Sequence, residues 1–146
     1  EFDVPERYGV GIAVRPVDVE EWNGLIADTD NKSRAHFHAY AQVLQRLLDR
    51  VPPDFAGGHL VADRCGGRMH YAADLQRLRP NARVETLVET PGQSAYALHT
   101  ATGELRVTFA ERGEDRAFPT ALASCFAKYL RDALPNASFI GFPAAD

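Results

Sequence analysis

The sequence predicts an α/β or α+β domain: a mixed sheet flanked by helices, with an antiparallel three-strand meander at about 82–110. Two patterns carry this. Segments alternating at period two are interspersed with segments whose apolar residues recur at three-and-four spacing. "ARVETLVE", "SAYALHT" and "ELRVTFA" also follow one another with only turn-forming residues between them. The size agrees with one domain: 146 residues, 45% of them hydrophobic, can bury most of the surface that the unfolded chain exposes.

Taken in order, "YGVGIAV" reads as a strand with Tyr8, Val10, Ile12 and Val14 on one face. Asp18 then offers an N-cap and Glu21 the third helical position, a capping-box arrangement for a short helix burying Trp22, Leu25 and Ile26. A longer helix follows "TDNK", because Phe37, Tyr40, Ala41, Leu44, Leu47, Leu48 and Val51 share one face, and Pro52 and Pro53 stop it. "GGHLVAD" reads as a short buried strand ending at Asp63, "RCGGR" as a turn, and Met69 to Leu78 as a helix closed by Pro80.

In the meander, Leu105, Val107 and Phe109 alternate against Arg106 and Thr108, and the loop at Thr102 and Gly103 suits a hairpin. A last helix runs from about Pro119 until Pro135 forbids continuation. Leu122, Phe126, Tyr129, Leu130 and Ala133 form its apolar stripe.

Composition narrows the function. No apolar run approaches the ~18 residues of a membrane span, and the start lacks the regions of a signal peptide, so a cytoplasmic protein with no membrane partner is expected. Cys65 and Cys125 have neither C-x-x-C nor zinc spacing and read as buried or incidental thiols. A net charge of −4 argues against coating nucleic acid by bulk electrostatics while leaving room for a local basic patch. His36 and His38 stand two apart, so a helix points them to different sides; His59, His70 and His99 have no partner spacing.

On the last helix, Ser124, Lys128, Arg131 and Asp132 occupy adjoining polar turns, which a solvated face would explain. Asp132 nevertheless opposes the helix dipole, and Lys128 before Asp132 is the weaker order for an ion pair. A bound cation would offset that penalty. Asp63 ends an apolar strand where ligands bind in α/β sheets, and it also reads as a turn aspartate bonding the following amides. Asn31 and Lys32 read as residues at a helix start, or as an anion contact at that N-terminus.

"ALASCFAKYLRD" resembles a segment of ribonuclease HII proteins, in which an alanine-serine pair precedes A-K-x-x-R-D on a helix. "LVAD" is similar to that family's V-D-G strand end, and "DNKS" to its D-S-K segment. The resemblance covers residues 30–132 in order and implies a ribonuclease H-like sheet flanked by helices. It maps metal-binding, catalytic aspartates onto Asp63 and Asp132, and substrate contacts onto Asn31, Lys32, Lys128 and Arg131. The implied reaction is hydrolysis of RNA paired with DNA, using Mg²⁺ or Mn²⁺ ions held by carboxylates about 3.5–4 Å apart.

The chain departs from that family where a D-E-x-G strand should supply two more acidic ligands. Asp115, Glu114, or a partner segment or chain would then complete the metal set. The opening "EF" without an initiating Met suggests a fragment of a longer chain. The alternative reading is a noncatalytic domain of the same fold that binds nucleic acid or a protein partner.

Overall fold

A computed structural model describes residues 15–51 and 57–133, and the backbone of 137–139. The order of elements is β1 (Pro16–Asp18), α1 (Val19–Thr29), α2 (Lys32–Asp49), β2 (Gly57–Asp63), α3 (Ala72–Leu78), β3 (Arg83–Glu89), β4 (Gln93–His99), β5 (Glu104–Ala110), a 3₁₀ turn (Gly113–Asp115), α4 (Phe118–Ala133) and β6 (Ala137–Phe139). The protein is mixed α/β, as its sequence predicts. The strand expected over 8–14 and the prolines at 52, 53 and 135 lie outside the described residues.

The chain divides into two compact units, Glu1–Arg50 with Cys125–Ile140, and Val51–Ser124 with Gly141–Asp146. In the first, β1 and β6 pair antiparallel, with Val17 opposite Ser138. Asp18 caps α1, its side chain accepting from the Glu21 amide at 2.7 Å. The expected capping box is half made, because Glu21 turns its carboxylate to Arg15 in an ion pair. Trp22, Leu25 and Ile26 lie on the inner side of α1 but are only half-buried.

Asn31 caps α2, accepting from Ser33 and Arg34 at 2.8 and 3.2 Å. Its buried face is Ala35, Ala39, Tyr40, Leu44 and Leu48. Small alanines thus replace the expected Phe37 and Leu47, which are half-buried and exposed respectively. His36 meets Trp22 edge to face at 6.5 Å, and burial pushes its imidazole below the ordinary histidine range.

In the second unit the sheet order is β2-β5-β4-β3. The meander β3-β4-β5 is antiparallel, and β2 joins it parallel to β5, with Asp63 level with Ala110. One sheet face holds an aromatic cluster: Tyr71 stacks on Phe109 at 3.8 Å, and Tyr96 meets Phe109 edge-on at 6.2 Å. Together with Leu75, Leu98 and Val107 these fully buried side chains make the core of this unit.

Two boundaries differ from expectation for identifiable reasons. β2 is not a buried strand. Among the described residues it pairs with one strand, β5, and Asp63 is its buried residue. α3 begins at Ala72 rather than near Met69, because β4 captures the backbone that would form its first turn. Ser94 donates to the Met69 carbonyl at 2.5 Å, and the Tyr71 amide donates to the Tyr96 hydroxyl at 3.0 Å.

Candidate functional site

The parallel pairing of β2 and β5 brings their C-terminal ends together, the place where α/β sheets bind ligands. The chain leaving β2 is fixed at once, since the Arg64 amide donates to the Ala110 carbonyl at 3.0 Å. Asp63 retains 9% of its surface, and its Oδ1 accepts from the Gly113 amide at 2.5 Å. A Cβ at Gly113 would stand 2.7 Å from that oxygen and 3.3 Å from Thr120, so any side chain there would force the Asp63 carboxyl to shift. Thr120 ties the start of α4 to the same strand by donating to the Val61 carbonyl at 3.0 Å.

Glu114 brings a second carboxyl against Asp63. Burial is the main cause that pushes the Asp63 carboxyl above the ordinary aspartate range; the Gly113 amide opposes it, and the charge and hydrogen bond of Glu114 add to it. Among the described residues, Glu114 Oε2 is buried without a hydrogen-bond partner. Two adjoining carboxyls repel when both ionise, and an unmatched buried oxygen is costly. These two carboxyls are the oxygen donors that the strand end offers to a divalent ion, which takes about six or more oxygen ligands when bound.

Asp115, the neighbouring residue, does otherwise: it pairs with Arg112 at 2.7 Å with half its side chain exposed. Arg112 has a left-handed backbone, φ 52°, which turns the chain into the 3₁₀ turn. On the far side of that turn, Arg116 donates to the neutral Gln93 at 2.8 Å. Arg64, with 8% of its side chain exposed, pairs with Glu111 at 3.0 Å.

The remaining expected site residues lie in the first unit, whereas Asp63 and Glu114 lie in the second. Asn31 is the N-cap of α2, and Lys32 is exposed at its first turn. On α4, Lys128 and Arg131 are exposed, and Asp132 has 80% of its side chain in solvent with Arg131 at 3.9 Å. The apolar stripe expected there is not a buried face: Ala127 is the buried residue of α4, and Phe126 and Tyr129 are 38% and 69% exposed. Among the described residues, no group of three or more His, Cys, Asp or Glu side chains is arranged to hold a metal ion.

Sequence reasoning missed a polar network on the neighbouring strands. Tyr96 donates to Glu89 at 2.5 Å, and His70 Nδ1 lies 2.8 Å from the other oxygen of that carboxylate. The Tyr96 hydrogen bond chiefly, and His70 after it, hold the Glu89 carboxyl below its ordinary range. Asp74, also buried, is paired by Arg68 and Arg77. Cys65 is buried, its thiol pushed up to about 11 by burial, while Cys125 is exposed.

No helix of the described residues is long and apolar enough to cross a membrane. Compared with family models, curated proteins and solved structures, the chain matches none.

Proposed function

We propose that this chain is a divergent ribonuclease HII-like domain that hydrolyses phosphodiester bonds of RNA paired with DNA, acting in the cytoplasm with Mg²⁺ or Mn²⁺. The observation that carries this reading is the strand-end carboxyl pair, in which buried Asp63 is gripped by Gly113 and Glu114 keeps a buried oxygen unmatched beside it. Glu114 takes the place expected for Asp115, whose carboxylate faces Arg112.

In this reading Asp63 and Glu114 would hold the metal, and Asp132 keeps the catalytic role that the resemblance implies. When bound, a divalent ion supplies charge neutralisation and an acidified water for attack on phosphorus. The Gly113 amide fixes one oxygen of the Asp63 carboxyl at the strand end. Lys32, Lys128 and Arg131 are exposed cations suited to phosphate oxygens, and Asn31 holds the start of α2.

The test is cleavage by the full chain of a hybrid with an embedded ribonucleotide, in Mg²⁺ and in Mn²⁺, with metal binding followed separately by calorimetry. Asp63→Asn and Asp132→Asn should each lower cleavage at least about a hundredfold, a loss of about 2.7 kcal/mol in barrier stabilisation. Asp63→Asn should also weaken Mn²⁺ binding. Unchanged metal affinity and unchanged cleavage in both variants would sink the proposal, and hybrid binding without cleavage would favour the noncatalytic reading.

A further inference from the structure

The turn that grips Asp63 also displays two arginines. Gly113, whose amide reaches the carboxylate, is preceded by Arg112 and followed three residues later by Arg116. Tight hydrogen bonds keep all three together: Asp115 amide to Arg112 carbonyl at 3.0 Å, and Arg116 amide to Gly113 carbonyl at 3.0 Å. Both arginines therefore branch from the fixed backbone of the turn whose Gly113 amide holds Asp63.

Their settings differ from those of a purely structural arginine. Arg116 is exposed, and its guanidinium donates to the amide oxygen of Gln93, a neutral partner that orients the fork without cancelling its charge. Arg112 has 78% of its side chain in solvent and adopts a left-handed backbone that glycine would tolerate more easily. Its ion pair with Asp115 is exposed and so readily exchanged for another anion. Around them Asp63, Glu111, Glu114 and Asp115 add negative charge, so a phosphate contact at this strand end would rest on these two guanidinium groups.

We infer that the turn spanning residues 111–117 is a phosphate-backbone contact, with Arg112 and Arg116 taking phosphates of a nucleic-acid strand laid across the end of β2 beside Asp63. This rests on the nucleic-acid reading above. The guanidinium fork fits two phosphate oxygens, whereas the opposite end of the sheet, where Arg83 lies level with His99, is remote from Asp63.

The experiment measures binding of the full chain to the same hybrid duplex across a salt series, with Ca²⁺ replacing Mg²⁺ and the duplex checked for integrity. Arg112→Gln and Arg116→Gln should each reduce the slope of log affinity against log salt by about 0.7–0.9, one phosphate contact apiece. Arg83→Gln should leave it unchanged, and circular dichroism should show all three variants folded. Unchanged slopes at Arg112 and Arg116, or an equal fall with Arg83→Gln, overturn the contact even if cleavage persists. A wild type that binds no nucleic acid overturns both the contact and the nuclease proposal. Reduced slopes with no cleavage in Mg²⁺ or Mn²⁺ uphold the contact and defeat the nuclease.

Discussion

Gly113 donates its amide to Asp63 at 2.5 Å, and a methyl group at Gly113 would lie 2.7 Å from the same carboxylate oxygen. The hydrogen bond and the close approach therefore depend on one another: a side chain at Gly113 would displace the carboxylate that its amide holds.

Gly113→Ala should accordingly destabilise the fold by about 1–3 kcal/mol, the usual cost of forcing an extra methyl group into a packed site. Gly24→Ala, at a helical position with nothing within 4 Å, should instead stabilise by about 0.5–1 kcal/mol. Urea midpoints of the two variants, measured side by side, check the contrast.

The raised pKa of Asp63 fixes the sign of a pH effect. The folded state binds this proton more readily than the unfolded state. The associated stability is therefore full below the ordinary aspartate range near 3.9 and is lost as pH rises through the higher folded value. In metal-free buffer, Asp63→Asn should remove that part of the decline. Denaturation curves between about pH 4 and 7 should show the variant gaining on the wild type as pH rises. A constant difference across the range would contradict it.

Glu89 should behave in the opposite sense, because Tyr96 first and His70 second hold its carboxyl below the ordinary range. Its contribution is present above the unfolded glutamate pKa and is lost as pH falls through the lower folded value. Tyr96→Phe should cost about 1 kcal/mol at neutral pH and flatten the acid side of the stability profile. Acid titration of unfolding midpoints reads both effects.

Asn31→Ala removes the acceptor for two amides at the start of α2 and should cost about 1 kcal/mol. Asn31→Asp, which keeps the acceptor and adds a charge favourable at a helix N-terminus, should retain stability. If the aspartate variant also weakens hybrid binding, Asn31 and Lys32 face the substrate as well as the helix.

Much of the architecture is legible in the sequence because it is local. The meander is written in alternation interrupted by turn residues, and Asp18 and Asn31 are cap residues immediately before the helices they start. What is not legible depends on partners remote in sequence. Glu114 meets Asp63 from fifty-one residues away (114 − 63), so no spacing rule singles it out from Asp115 beside it. His70 finds Glu89 nineteen residues on, across a loop and α3. The apolar periodicity of α4 is real, but periodicity alone does not decide burial, and Phe126 and Tyr129 remain exposed.

The parallel pairing of β2 has a kinetic consequence. Hairpins in β3-β4-β5 close over a few residues, whereas Gly57 must find Glu104 and Asp63 must find Ala110 across most of this unit. Loop-closure entropy places such encounters late. The meander is expected to form first and the carboxyl site only when β2 docks on it, an order that φ-values from folding and unfolding rates would check. Variants at Gly113 should mainly accelerate unfolding, whereas variants at Tyr96 or Phe109 should slow folding itself.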